Sequence, residues 1–166
     1  MNELEDKVYD ILADDPTIRG YTGWVLGGDQ RVYHGWPPEQ VIVNDTYPAY
    51  ITMEFLAPGP MLMDEYVQPC QYPDEVADLN VWANSALLRG QMAERIMLLF
   101  WSSAPLPAVV DTDTEIDLTS FVVKRVVQES AANMTELLEE GTRQITLWRK
   151  FMRLRFGPIY AKLMGE

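Results

Sequence analysis

The sequence predicts an α+β fold, because strand-like and helix-like segments alternate along one chain. The clearest pair lies at the centre, where EVADLNVWA at 75–83 has the two-residue period of a strand and LLRGQMAERIMLLFW at 87–101 has an apolar stripe. Asn84 or Ser85 between them is a suitable N-cap. The predicted buried positions are Ala77, Leu79 and Val81 in the strand and Leu88, Met92, Ile96 and Leu99 in the helix. The pair therefore predicts a helix packed across its own sheet.

The N-terminal segment predicts a first helix, capped by Asn2 with Glu5 three residues later and ended by DDP at 14–16. Its predicted buried stripe consists of Leu4, Val8, Ile11 and Leu12. The glycine-containing stretch 17–30 has no clear period, which predicts irregular chain around a short strand at 24–26.

The next segments predict two strands and a long connection. RVYHGWPPEQ at 31–40 predicts a short strand stopped by its prolines, and TYPAYITMEF at 46–55 predicts a stronger strand entered at Pro48. The predicted shared face of the second strand is Ala49, Ile51, Met53 and Phe55. The proline-interrupted connection 56–72 is long enough to favour a functional loop or a disordered one.

The C-terminal third predicts two more strands. A linker at 102–120 precedes a strand at 121–128, a break at 131–133 and a short turn at ELLEE capped by Thr135. The last long strand is predicted at 143–156, after which Gly-Pro releases a short tail.

Size and composition predict one soluble domain spanning 1–166. Hydrophobic residues make up 48% of the chain, which argues against disorder, and the longest apolar run is far shorter than the roughly 20 residues of a membrane helix. The single cysteine, Cys70, indicates folding in a reducing cytoplasm.

Charge is distributed unevenly along the chain, whose net charge is −12. Residues 1–120 carry 5 Lys/Arg against 20 Asp/Glu, a net charge of −15, whereas residues 121–166 carry 8 against 5, a net charge of +3. The acidic body disfavours wrapping of nucleic acid, which requires a positive surface. The basic segment RKFMRLRF at 149–156 suits either contact with phosphate or an acidic protein, or a solvated or edge strand protected by charge, and the second interpretation is favoured.

No motif predicts a catalytic residue, a cofactor or a metal ion. His34 and Cys70 are too few for a zinc site, and His34 at a strand end is typical of a hydrogen-bonded structural imidazole. The acidic run 111–117 has calcium-like spacing, but Ile116 replaces the required glycine and Val122 the closing glutamate. A solvated acidic linker is therefore favoured there.

Three short segments carry a resemblance to a known family. RVY at 31–33, YPAY at 47–50 and VWANS at 81–85 occur in this order between a short N-terminal helix and a long central helix. The order resembles the tail-completion, or tail-terminator, proteins of long-tailed bacteriophages, over roughly the first two thirds of the chain. The chain departs from the shortest members in a long loop or arm at 56–72 and a strand extension at 121–166.

The resemblance implies an α+β structural protein with a mostly antiparallel sheet flanked by the N-terminal helix and the long central helix. It implies no enzymatic activity. It implies instead a homo-oligomeric ring, a hexamer, that caps the tail tube, ends its polymerisation and serves head–tail joining. Its partners would be further copies of itself, the tail tube protein and a head–tail connector or head-closure protein, with no membrane and no specific nucleic acid. The protein would be made in the bacterial host cytoplasm and reside in the virion, at the tail–neck junction.

Two surfaces are hypothesised as interfaces of such a ring. A basic final strand on an acidic body offers two surfaces of opposite sign for pairing between subunits or with the tube. The loop at 56–72 offers adaptable methionines, although it suits equally well a flap over its own core. The interface residues predicted are Arg149, Lys150, Arg153 and Arg155 in the strand and Met61, Leu62, Met63 and Tyr66 in the loop.

Three alternative functions remain open at this point. Another neck component, such as a head-closure or connector protein, would share the small domain and the ring. A nucleic-acid-binding accessory protein would use the basic segment 149–156. An enzyme would need scattered carboxylates to converge, and the candidates are Glu54, Asp64, Glu65 and Glu75.

Overall fold

The computed structural model describes residues 2–24, 28, 31–36, 41–56, 71–100 and 115–162. These residues form a mixed α/β fold with three helices and nine strands. The elements are α1 (Asn2–Asp14), α2 (Pro16–Thr22), β1 (Val32–His34), β2 (Ala49–Phe55), β3 (Gln71–Tyr72), β4 (Glu75–Ala83), α3 (Ala86–Phe100), β5 (Ile116–Asp117), β6 (Phe121–Val123), β7 (Val126–Glu140), β8 (Arg143–Phe156) and β9 (Ile159–Ala161).

The larger of two sheets, called the main sheet, has five strands in the order β1-β2-β4-β8-β7. All its neighbours are antiparallel except β1 and β2, which confirms the prediction of a mixed fold with a mostly antiparallel sheet. A smaller antiparallel sheet has the order β3-β9-β6-β5. The main sheet contains every long strand of the described chain and positions the candidate surfaces.

The core lies between the helices and one face of the main sheet. Ala77, Leu79 and Val81 of β4 are fully buried there, as predicted, together with the predicted face of β2 up to Met53. The buried residues of α3 are Met92, Ala93, Ile96 and Phe100. Leu88 and Leu99 of the predicted stripe are only half-buried. Ser85 is the cap, because its Oγ accepts a hydrogen bond from the Leu88 N–H at 3.2 Å.

The N-terminal helix agrees with its prediction, although it begins at Asn2 itself. Its residues Leu4, Val8 and Leu12 are fully buried, and Ile11 is half-buried. This stripe joins the core that α3 and β4 form.

The prediction of irregular chain after 14–16 is wrong for its first part, because α2 begins at Pro16. Asp15 caps this helix by accepting a hydrogen bond from the Ile18 N–H at 2.9 Å, and it also accepts bonds from the Arg95 guanidinium at 2.6 and 3.1 Å. Burial acts to raise the pKa of the Asp15 carboxyl, but the Arg95 and Ile18 hydrogen bonds outweigh it and lower the pKa. Asp15 thus ties α2 to α3. Residues 25–26 of the predicted strand lie outside the described residues, and Trp24 is not in a strand.

The C-terminal strands differ from the prediction in two places. The predicted strand 121–128 is divided between β6 of the small sheet and β7 of the main sheet. The predicted break at 131–133 and the turn capped by Thr135 are wrong, because β7 continues to Glu140 alongside β8. Strand β8 itself has the predicted bounds, while β5 and β9 fall in segments predicted as linker and tail.

The acidic run 111–117 is described only from Glu115. Glu115 pairs with Lys124 at 2.6 Å, and Asp117 pairs with Lys162 at 2.6 Å. No group of three or more metal-ligating side chains occurs among the described residues. The described helices also include none that is long and apolar enough to cross a membrane.

Candidate interface surfaces

The main sheet has two different faces, which the alternation of β8 defines. Met152 of β8 is fully buried beneath the helices with Leu79, its partner on β4, so we call this side the helix face. The odd-numbered neighbours Arg149 and Arg153 point to the opposite side, which we call the open face. Lys150 therefore lies on the helix face. The four basic residues hypothesised as one interface are divided between two sides of the sheet.

Arg149 on the open face is held by the sheet around it. Its Nε donates to the Asn80 Oδ1 at 2.8 Å, and its Nη1 donates to the Glu136 Oε1 at 2.9 Å. The guanidinium carbon lies 4.7 Å from the ring centroid of Trp82 and 5.6 Å from that of Trp36. Hydrogen bonds and cation–π contacts together make Arg149 a centre of the open face.

The other two arginines of the open face also have partners. Arg153 forms a two-bond pair with Asp78, at 2.7 and 2.8 Å, and the hydrogen bond raises the pKa of the guanidinium. Arg155 pairs with Glu129 and lies 3.9 Å from Asp74. The carboxylates of the neighbouring strands therefore neutralise these arginines in place.

This arrangement corrects two expectations about the basic segment. The interpretation as a solvated or edge strand is wrong, because β8 lies inside the sheet between β4 and β7. The separation of charge along the sequence is also not a separation in space, since β4 and β7 supply the partners of all three arginines along with the loop residue Asp74. Opposite surfaces of the molecule cannot be assigned from the sequence halves.

The open face carries a second apolar cluster that the sequence pattern did not predict. Trp82 and Tyr50 stack with ring centroids 5.6 Å apart and an interplanar angle of 7°, and both are buried. The cluster also contains Val43 and Leu147. Burial, with the nearby Glu136 carboxylate, raises the pKa of Tyr50 to about 12. Strand β4 is thus buried on both faces, although strict alternation predicted only one.

The three segments that carry the family resemblance meet beside this cluster. The Arg31 guanidinium donates to the backbone oxygens of Ala49 at 3.0 Å and Ile42 at 2.7 Å. The Asn84 N–H donates to the Pro48 oxygen at 2.9 Å. Packing and hydrogen bonding between β2, β4 and the start of α3 therefore give a structural reason for RVY, YPAY and VWANS to occur in one chain.

A shallow trough lies on the helix face between α3 and β7. Its volume is about 160 Å³. We call it the α3–β7 trough, and it is lined by Gly90, Ala93, Glu94, Met97, Gln128, Lys150 and Met152. Within the part of the chain that the structure describes, Lys150 has no ion-pair partner and no strand pairs with the outer edge of β7. The arginines of the open face are paired, whereas the helix face keeps a cation that has no ion-pair partner in the described residues.

An acidic cleft lies between α1 and the β5 end of the small sheet. Its volume is about 460 Å³, and the residues that line it are Glu3, Asp6, Lys7, Asp10, Asp117, Leu118, Thr119 and Lys162. Glu3 accepts a hydrogen bond from the Thr119 N–H, which lowers the pKa of its carboxyl. Asp6 and Asp10 are exposed on α1.

The remaining predicted residues contribute less. His34 is a hydrogen-bonded imidazole, with Nδ1 3.1 Å from the Glu5 Oε1 and the ring stacked on Tyr9 at 4.5 Å. The hypothesised loop residues Met61, Leu62, Met63 and Tyr66 lie outside the described residues, as do Asp64 and Glu65. Trp36, which no pattern singled out, is 59% exposed on the open face.

No protein-family model matches the chain, and no curated protein matches it either.

Proposed function

We propose that this chain is a structural virion protein that forms a ring on the tail tube of a long-tailed bacteriophage, ends tube polymerisation and joins the tube to the head connector. One observation carries the proposal. Strand β7 has 15 residues, and its outer edge has no partner among the described residues. A long open edge is a template for pairing with another chain, and native proteins seldom leave one uncovered.

The two edges of the main sheet provide the different surfaces that a ring requires. A closed ring is built from heterologous contacts, in which one patch of a subunit meets a different patch of its neighbour. Strand β7 forms one edge of the sheet, and β1 with α1 forms the other. A sheet flanked by helices on a single face, with unlike edges, suits such head-to-tail contacts.

The family resemblance gives the ring its place in the virion. The segments RVY, YPAY and VWANS, on which the resemblance rests, converge on β2, β4 and the start of α3. They therefore support a shared scaffold with tail terminators. The partner surfaces of the tube and the connector are part of the proposal and follow from the resemblance alone.

The observations favour this function over binding of nucleic acid by the basic segment. Phosphate contact requires cations that are free to displace counterions. Arg149, Arg153 and Arg155 are instead paired with carboxylates of their own chain. A different neck component remains the nearest alternative, and the experiment separates it.

The test is deletion of the gene in its source phage, followed by negative-stain electron microscopy of the lysate. We expect filled heads lying apart from abnormally long tubes, because nothing stops polymerisation or offers a joining surface. The control is complementation with the wild-type gene, which should restore joined tails of normal length. Normal-length tails beside unjoined heads would assign the protein to the neck instead, and intact infectious particles would overturn the proposal.

A further inference from the structure

We propose that the outer edge of β7 pairs with the same edge of a second copy of this chain, so that two main sheets join across a twofold axis at Thr135. This pair closes the edge in the free protein, and assembly of a ring requires the pair to dissociate. In that one respect the inference rests on the proposed function.

Strand β7 lacks the features with which proteins protect an edge strand. Such edges are commonly short, bulged, or occupied by lysine or proline. Strand β7 has 15 residues and contains neither lysine nor proline. Its register shift lies between Gln128 and Ser130, near its start, and residues 130–140 pair regularly with β8. Residues 130–140 are therefore a template that another strand can extend.

The side chains of this template are complementary to themselves. Residues 130–133 have short side chains, Ser, Ala, Ala and Asn, whereas residues 137–140 have long ones, Leu, Leu, Glu and Glu. An antiparallel partner centred at Thr135 places each short side chain opposite a long one, so that Ala132 meets Leu138 of the second copy. Opposite residues also lie on the same face, because the register shift is outside residues 130–140.

This register uses the whole regular part of β7, since Thr135 is its midpoint. Antiparallel strands form on average one backbone hydrogen bond per residue pair, so the joint provides about ten, as many as a typical protein interface. Thr135 lies opposite Thr135 of the second copy, and threonine pairs across antiparallel strands are favourable. A twofold contact of this kind needs only one self-complementary patch on each subunit.

The charges of β7 are compatible with the symmetric pair. No glutamate of the strand lies opposite another glutamate in this register. Glu136 is already paired with Arg149 of its own chain, and Glu129, paired with Arg155, lies outside the ladder. The β7–β8 hairpin at 126–156 carries 5 Lys/Arg against 4 Asp/Glu, a net charge of +1. Two hairpins therefore meet without an excess of negative charge.

The pair also supplies a partner for the cation of the helix face. Lys150 lies beside Asn133 of β7 without an ion pair in the described residues, and Glu94, which lines the same trough, does not pair with it. Glu139 is exposed on the helix face and forms no ion pair among the described residues. In the twofold register, Glu139 of the second copy lies opposite Ala131 and diagonal to Asn133. The short alanine leaves space for Lys150 and Glu139 to meet above the sheet, once on each side of the axis.

The test is sedimentation velocity of the purified full chain over a wide range of concentration. We expect the wild type to show a monomer–dimer equilibrium. Thr135→Lys places two lysines opposite each other at the axis and should weaken dimerisation by roughly tenfold or more, as should Thr135→Glu. An equimolar mixture of these two variants places lysine opposite glutamate, so its association should recover to within a few-fold of wild type. Thr142→Lys is the matched control, because Thr142 is also exposed but lies in the turn outside the ladder, and it should have no effect.

A second measurement tests the register by disulfide formation in a Cys70→Ser background. Thr135→Cys should cross-link two subunits readily, because opposite Cα atoms of antiparallel strands are about 4.5–5.5 Å apart, a separation that suits a disulfide. Ala132→Cys lies opposite Leu138 of the second copy instead of another cysteine, so it should cross-link far more slowly.

A third measurement tests the contact on the helix face. Lys150→Glu brings a second carboxylate close to Glu139 of the other copy, so dimerisation should weaken several-fold. The double variant Lys150→Glu/Glu139→Lys reverses both charges and should recover it. A double variant no better than Lys150→Glu would contradict this contact.

Circular dichroism and thermal unfolding of every variant ensure that only folded protein is compared. A wild type that stays monomeric at its highest soluble concentration would overturn the inference, as would equal effects of Thr135→Lys and Thr142→Lys or a mixture no better than its parents. A closed ring formed by the free protein would also overturn it, but would support the proposed function. If dimerisation failed while the gene deletion gave long, unjoined tails, the proposed function would stand and only this pair would be wrong.

Discussion

Arg149 and Lys150 are neighbours on β8, yet they have opposite surroundings. Arg149 lies on the open face with two hydrogen-bond partners and two aromatic rings, while Lys150 lies on the helix face, in the α3–β7 trough, without a partner in the described chain. The side of the sheet without helices is therefore the side whose charges are satisfied. A cation that is already paired is neutralised within its own chain, whereas an unpaired cation beside an open trough is available to another molecule.

The first prediction concerns the open face as a second core. Replacing Trp82 by Ala removes a buried ring from between Tyr50 and Arg149, and we expect a loss of about 3–5 kcal/mol in the free energy of unfolding. Chemical denaturation measures it. Trp36→Ala is the matched control, since Trp36 is 59% exposed, and it should cost far less. Equal small losses in the two variants would mean that the open face is ordinary surface.

The second prediction concerns the arginine at the centre of that face. Arg149→Met keeps most of the side-chain volume but leaves Glu136 and Asn80 without their donor. We expect a loss of about 1–3 kcal/mol, because the buried Asn80 and the half-buried Glu136 lose their hydrogen bonds. Urea unfolding measures the change. If the double variant with Glu136→Gln were no more stable than Arg149→Met, the stranded carboxylate would not be the cause of the loss.

The third prediction uses pH to examine the same cluster. The pKa of Tyr50 is raised to about 12 in the folded protein, above its ordinary value near 10. The folded protein therefore favours the neutral phenol of Tyr50. The stability that this preference contributes is fully present below about pH 10 and is lost as the pH rises toward 12. Tyr50→Phe cannot ionise, so its free energy of unfolding should fall less steeply across this interval. If the free energies of unfolding of the two proteins fell in parallel with pH, the buried phenol of Tyr50 would not be the cause of the loss.

The elements that the sequence predicted correctly are those in which the spacing of apolar residues matches the face that the fold buries. Strands β2, β4 and β8 and helix α3 were found because a regular apolar face marks each of them. Residues 129–140 of β7 were missed, because SAANMT at 130–135 has little strand propensity and is held in the sheet by its register with β8. Helix α2 was missed although its signal is in the sequence, an aspartate cap followed by proline at the first position.

The candidate surfaces depended on pairing that a single sequence does not contain. Asp78 and Asn80 lie opposite Arg153 and Phe151 only in the observed register of β4 and β8. A shift of one residue would exchange the faces of every side chain on a strand. The sequence therefore indicated the basic cluster at 149–155 in β8, but its division between a satisfied and an unsatisfied face required the sheet.

The last prediction has the smallest expected effect on stability, but it tests most directly whether the two faces of β8 differ. Lys150→Met removes a charge that has no ion-pair partner in the described chain and places an apolar side chain beside Met97 and Met152. We expect the free energy of unfolding to change by no more than about 0.5 kcal/mol in either direction, as for a surface position without a special contact. Denaturant unfolding at low protein concentration measures it, so that association does not contribute. A loss as large as that of Arg149→Met would show that Lys150 stabilises its own subunit, and the two faces of β8 would then be alike. Stability near that of wild type combined with weakened association would instead mean that the fold leaves this cation for a neighbouring molecule.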